Sequence, residues 1–289
     1  MKYSNVELFV SELEDELKKR LPIDLTVKEM YVDKDNGKQR AITFAGEDNY
    51  AAPLYYVNNL FETVNNTENG FDELVEEMVA RAIEAREHRS ENSRLTEQFG
   101  DRDFILNNVV AVLVGKSAKE RIDNQNLVFI PFHDMYIVFE VEVEVCGQRG
   151  TVRINKQMLE RSGVTQEELI VCGKTNARDK LGYQFLNLGG FLGMGQTGQF
   201  ILTNMEMEKG AYSVFYADLK SKAYELGANI VLLPSSIHEW ICSADDGLHS
   251  ASEYRAMVKS VNSTMDTSEV LSETVYYYDR TTGELTEMK

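Results

Sequence analysis

Cysteine, proline and positive charge are all scarce in this chain. Three cysteines and four prolines occur in 289 residues, and 30 Lys and Arg face 47 Asp and Glu. The cysteines, Cys146, Cys172 and Cys242, are widely spaced and none belongs to a CxxC pair. Zinc ribbons and redox dithiols are therefore excluded, and reduced thiols in a cytoplasmic setting are expected. With so few prolines and no Pro/Ser-rich tract, no long linker is expected. Long apolar runs are missing too. Residues 109–114 and 230–233 are the longest, far short of the ~20 residues that cross a bilayer. The opening segment MKYSNVELFVSELEDELKKR holds no apolar stretch of that kind, so neither a signal peptide nor a membrane span is expected. The net charge of −17 repels phosphate backbones and anionic lipid, which argues against direct nucleic-acid and membrane partners. Roughly −9 of it precedes Gln98 and roughly −8 follows, so the acid is spread and forms no tail.

What is present has clear periodicity. Val6, Phe9, Val10, Leu13, Leu17 and Leu21 recur at helical spacing, ending in Lys18, Lys19, Arg20 and then Pro22. Those cations suit the negative end of the helix dipole. Residues 25–32 and 40–44 read as strands joined through Asp33-Lys34-Asp35-Asn36-Gly37, where Asn-Gly marks a hairpin turn. Helices are expected over 54–64 and 71–87, then a polar, apolar-poor stretch over 88–100 suited to a boundary. Residues 103–119 read as helix, with 109–114 equally readable as strand. Strands are expected over 126–132, 135–145 and 151–154, and helices over 157–161 and 165–177. Residues 178–198 read as a glycine-rich loop. Strands over 200–204, 212–215, 230–233 and 236–241 follow, with helices over 217–226 and 251–261. A hairpin of 275–278 with 284–288 closes the pattern.

Three short motifs invite a chemical reading. Gly193-Met194-Gly195-Gln196-Thr197-Gly198 spells GxGxxG, but the dinucleotide fingerprint needs a strand before it and a helix N-terminus after it. Strand-like residues follow here, so a packed glycine loop is expected, and no cofactor. Gly115-Lys116-Ser117 lacks the first glycine of a phosphate loop, because that position holds Val110. The third motif is the candidate site. Pro234 ends an apolar run and is followed by Ser235, Ser236, His238 and Glu239, a hydroxyl, an imidazole and a carboxylate in one short stretch. In an extended chain Ser236, His238 and Trp240 share one face, while Glu239 points to the other. Metal ligands would come from His133, Asp134, His238 and Glu239, whose nitrogen and oxygen donors suit a divalent ion. Tyr276, Tyr277 and Tyr278 lack a basic groove beside them, so strand packing explains them better than base stacking.

A family pattern joins these landmarks. Asp35-Asn36-Gly37, the run from Pro53 to Asn58, and Arg121 to Asn126 come first. Leu202-Thr203-Asn204, Gly210-Ala211, the run from Leu233 to Glu239, and Tyr276-Tyr277-Tyr278-Asp279 follow. Together, as LTN…GA…LPSSIHE…YYYD, they resemble a bacterial domain-of-unknown-function family found in gut anaerobes and integrated mobile elements. The resemblance spans nearly the whole chain and implies a bacterial cytosolic α+β protein. It carries no catalytic role. The glycine-rich stretch over 188–198 departs from the pattern.

The expected architecture is α+β. An N-terminal helix–hairpin–helices module over 1–97 packs on a larger mixed or antiparallel sheet covered by helices over 98–289. The expected function is that of a non-enzymatic acidic interaction protein acting on a basic protein surface, such as an accessory or anti-defence factor of a mobile element. The alternative is a hydrolase or metal-dependent enzyme using the Ser236/His238/Glu239 corner.

Overall fold

A computed structural model describes residues 3–46, 53–67, 70–87, 97–145, 148–195 and 197–289. Most of the expected boundary, residues 88–96, lies outside the described residues, as do Cys146 and Gln196. The architecture is α+β, and every strand pairing described is antiparallel. Two compact units are present. One comprises Met1–Asp101 with Val143–Gly150, the other Arg102–Glu142 with Thr151–Lys289. Among the described residues no helix is long and apolar enough to cross a membrane.

In the first unit, helix α1 (Val6–Arg20) begins where the Asn5 side chain accepts the Glu7 N–H, and it buries Phe9, Val10, Leu13 and Leu17. That capping bond satisfies one of the donors a helix start leaves open. Strands β1 (Thr26–Lys34) and β2 (Gly37–Ala45) pair with Lys34 opposite Gly37. Gly37 takes φ of 104°, a conformation that costs a residue with no Cβ little. Strand β3 (Tyr55–Tyr56) adds to β2, and helices α2 (Val57–Asn66) and α3 (Gly70–Glu87) follow. Phe9, Leu13, Ile42, Val64, Val75 and Met78 form part of one core cluster.

Among the described residues the second unit holds two sheets, apart from the residues of β6 and β7 that fall within Val143–Gly150. In the six-stranded one the order is β13 (Glu284–Glu287), β12 (Tyr276–Asp279), β10 (Ile230–Pro234), β11 (Trp240–Ala244), β9 (Gln199–Thr203), β8 (Gln184–Asn187). In the other, β6 (Met135–Val145) lies between β4 (Val109–Val114) and β5 (Phe129–Phe132), with β7 (Gln148–Arg153) also on β6. Trp240 and Tyr276 are the largest side chains that are fully buried.

Several sequence expectations are corrected here. The helix expected over 103–119 stops at Asn108, and Val109–Val114 is strand, the second of the two readings. A run of Val and Leu buried on both faces suits a covered strand better than an amphipathic helix. Residues 178–198 are more than loop. A π-helical turn (Ala177–Leu181), β8 and a short helix (Leu188–Phe191) occupy them. The strand expected over 212–215 is a 3-10 helix, Gly210–Phe215. Ala211, Tyr212, Ser213 and Val214 are buried in succession, a pattern that a one-sided strand does not give. The strand expected over 236–241 begins only at Trp240.

Candidate functional site

The β10–β11 connection is a hairpin loop whose base pair is Pro234 with Trp240. Inside it the Ser236 N–H donates to the Glu239 carbonyl at 3.2 Å. The Ser236 hydroxyl donates to Glu239 Oε1 at 2.8 Å and its Oγ accepts the His238 N–H at 3.0 Å. Ser236 is 3% exposed. A strand would have sent Glu239 to the opposite face from Ser236; the turn brings them together instead. A local serine–backbone bond of this kind competes with regular strand pairing, which is why the alternation fails here.

Two further segments close on this loop. At the end of β9, Thr203 Oγ1 donates to the His238 carbonyl at 2.8 Å. Asn204 Oδ1 accepts the Glu206 and Glu208 N–H groups, and its Nδ2 donates to the Glu208 carbonyl, which fixes the following turn. That turn delivers Lys209 in a left-handed conformation, φ 49°, a strained one for a residue with a Cβ. The Lys209 N–H donates to His238 Nδ1 at 3.1 Å. An accepting Nδ1 carries no proton, so the proton of the neutral ring sits on Nε2. The Ala211 N–H donates to the Ile237 carbonyl at 3.1 Å, and Trp240 Nε1 donates to the Ala211 carbonyl at 2.7 Å.

Beside the corner lies a buried ion cluster. Glu140, on β6, is 2% exposed and accepts from Arg153 Nε at 2.9 Å and from Lys209 Nζ. Lys209 Nζ also donates to Thr151 Oγ1 at 3.1 Å. Burial alone would raise the Glu140 pKa; Lys209 and Arg153 outweigh it and hold the carboxyl below its ordinary value. Lys209 therefore joins the cluster to the His238 loop, one atom at each end of the residue. Sequence reasoning missed Glu140, Arg153 and Lys209. The available signal was an acid inside the apolar run Ile137 to Val141, where a solvated glutamate has no place.

His133 and Asp134 form the turn between β5 and β6, whose last pair is Phe132 with Met135. His133 Nδ1 lies 3.1 Å from Glu287 Oε1. The Asp134 carboxylate accepts from Ser272 Oγ, 2.9 and 2.7 Å from its two oxygens, and from the Tyr276 hydroxyl at 2.9 Å. Burial, then the neighbouring Asp134 carboxylate, push the Tyr276 phenol far above its ordinary value. The link between this turn and the serine loop runs through the chain at 269–276. The Ile237 N–H donates to the Glu269 carbonyl at 2.9 Å, and the Tyr276 ring meets Trp240 edge-on at 5.4 Å. Thus Ser236, His238 and Glu239 share one loop, whereas His133 and Asp134 bond elsewhere. Among the described residues no three His, Cys, Asp or Glu side chains converge as metal ligands.

The remaining motifs also have local explanations. A Cβ at Gly115 would lie 2.1 Å from the Val270 carbonyl oxygen and 2.7 Å from that of Leu271; the glycine lets two backbones pass closely. Gly193 and Gly195 take φ of 72° and 86° in the connection between the Leu188–Phe191 helix and β9. A strand follows the GxGxxG letters, as the sequence led one to expect. Cys242 is buried, and burial raises its thiol pKa well above the ordinary value, which makes it a poor nucleophile.

The model of the DUF5688 family, a family of unknown function, matches residues 6–280, so the chain belongs to that family. No curated protein and no solved structure matches it.

Proposed function

We propose that this DUF5688 member is a bacterial cytoplasmic interaction protein, non-enzymatic, that occupies a basic protein surface. An accessory or anti-defence role in a mobile element is the biological setting that suits it. The observation that carries this reading is the charge, 47 acids against 30 bases and a net −17. Such a field attracts a basic partner and speeds its encounter. The corner supports it from the other side, because no imidazole acceptor is bonded to the Ser236 hydroxyl. The Ser236 hydroxyl is given to Glu239, and the His238 Nδ1 is taken by a backbone N–H. A serine nucleophile needs an imidazole or similar base with a free acceptor atom facing it.

The test is capture on the immobilised full chain from a lysate of the host. Specific basic proteins should be retained at low salt and released as ionic strength rises, because the Debye length shrinks to about 8 Å at physiological salt. Capture of no basic protein at either low or physiological salt would refute the reading. The Ser236–Glu239 contact at 2.8 Å favours one alternative, a hydrolase in which the carboxylate serves as base, or a metal-dependent enzyme at the same corner. Turnover of ester, amide or phosphoester substrates that disappears in a Ser236→Ala/His238→Ala double variant would establish that alternative.

A further inference from the structure

A cavity of about 450 Å³ lies within the second unit. Strands β5 and β6, the end of the Gln166–Asn176 helix, the π-helical turn after it and the 3-10 segment Gly210–Phe215 all contribute to its lining. Its side chains oppose the character of the chain as a whole. Phe132, Tyr212, Phe215 and Tyr216 supply rings, Lys174 and Arg178 supply positive charge, and none of the described lining residues is acidic. The rings form a connected edge, Phe132 to Phe215 at 4.7 Å and Phe215 to Tyr212 at 4.9 Å between centroids. Phe215 is 38% exposed despite its size.

The polar groups are unevenly used. Arg178 Nε donates to Asp179 Oδ1 at 2.7 Å, while neither of its Nη atoms has a hydrogen bond among the described residues. Tyr216 donates its hydroxyl to the Gly182 carbonyl at 2.9 Å. Tyr212 differs. It is 3% exposed, it lines the cavity, and its hydroxyl has no hydrogen-bond partner among the described residues. A tyrosine O–H from which no protein group accepts is available to a ligand in the cavity. Burial raises the Tyr216 phenol to about 12 and the Tyr212 phenol further, so both stay protonated and neither repels an anion. Lys174 and Arg178 stand four positions apart, which places them on one side of the helix end. The π-helical turn holding Arg178 is an uncommon local geometry that recurs at ligand sites.

We propose that this cavity binds a small organic anion with a flat ring, the ring against Phe132 and Phe215 and the anionic group at Lys174 and Arg178. The Tyr212 hydroxyl donates to that ligand. The volume sits in the lower part of the range for small-molecule sites, roughly 300–1,000 Å³, which suits one mononucleotide-sized or smaller molecule and no polymer. The site is separate from the acidic surface invoked for partner binding, so either assignment can fail without the other.

Isothermal titration of the full chain at low ionic strength tests it with two ring anions, adenosine 5′-monophosphate and indole-3-acetate. Adenosine and inorganic phosphate serve as the ring-only and charge-only controls. At least one ring anion should bind with a Kd between about 10 μM and 1 mM, and each control at least about tenfold more weakly. The stronger of the two anions distinguishes a phosphate from a carboxylate headgroup. A Lys174→Ala/Arg178→Ala double variant should lose about tenfold or more in affinity with an unchanged circular dichroism melt, since both side chains are exposed. Tyr212→Phe should weaken binding about threefold or more. No binding of either anion up to about 10 mM, equal binding of phosphate alone, or full affinity in the double variant would overturn the proposal.

Discussion

A carboxylate that is 2% exposed, as Glu140 is, stays ionised only because two cations replace the water it has lost. Arg153 and Lys209 provide them. Replacing one member of such a cluster leaves the others buried and undercompensated, a change that typically costs about 3–5 kcal/mol. Glu140→Gln should therefore destabilise the chain by about 3 kcal/mol at pH 7, read from urea denaturation. The sign of the pH dependence follows from the direction of the shift. The folded-state pKa lies below the unfolded one, so the stabilisation is complete above the unfolded value, about 4.3. It is lost as pH falls through the folded value. The stability gap between wild type and Glu140→Gln should thus be wide at pH 7 and narrow progressively below about pH 4. A gap that stays constant down to acid denaturation would show that Glu140 is not ionised in the native state.

At the scale of elements, three of the motifs on which the family resemblance rests meet at one place. Gly210 passes so close to its neighbours that a Cβ there would lie 2.2 Å from Thr203 Oγ1, 2.6 Å from the Asn204 nitrogen and 2.7 Å from the His238 carbonyl oxygen. Two of those atoms belong to backbone and cannot rotate away. Gly210→Ala should destabilise by about 2–4 kcal/mol through overpacking, whereas Gly150→Ala, with nothing within 4 Å of its Cβ, should stay within about 0.5 kcal/mol of wild type. Equal thermal midpoints for the two variants would show that the corner has slack. The same corner explains which parts of the structure were legible in the sequence. Elements whose apolar period matches their burial, such as α1 with Phe9, Leu13 and Leu17, can be read directly. So can the Asn36-Gly37 hairpin, because turn chemistry is local. The 3-10 segment at Gly210 and the loop after Pro234 cannot, because distant partners hold them: Thr203 and Lys209 on His238, Ala211 on Ile237 and Trp240. Alternation gave the wrong face for Glu239 for that reason. Ser236, His238 and Glu239 were legible as a cluster of polar residues. Glu140 was not recognised as part of the site, since its partners lie 13 and 69 positions away.

For the molecule as a whole, the division into two units sets unequal demands on cutting the chain. The core of the first unit, from Tyr3 through Phe9, Ile42 and Val64 to Met78 and Ala82, comes from residues within 1–101. Its other piece, Val143–Gly150, adds only the connection between β6 and β7 and adjacent strand residues. We expect a fragment of residues 1–101 to fold alone, since a length near 100 residues is enough to bury a core of its own. A fragment starting at Arg102 must carry the 143–150 segment without the rest of its unit. Charge adds a second expectation. The first 97 residues hold roughly half of the excess acid, about −9, and self-repulsion weakens a compact state most when salt is low. The urea midpoint of the 1–101 fragment should consequently rise between about 10 mM and 300 mM sodium chloride, as the Debye length falls from about 30 Å to below 8 Å. A fragment without a cooperative urea transition in this salt range would place the stability of the N-terminal core in the remainder of the chain. A transition that ignores salt would show instead that the acids are too well paired or too dispersed to repel one another, and it would weaken the case for an acidic binding surface on this unit.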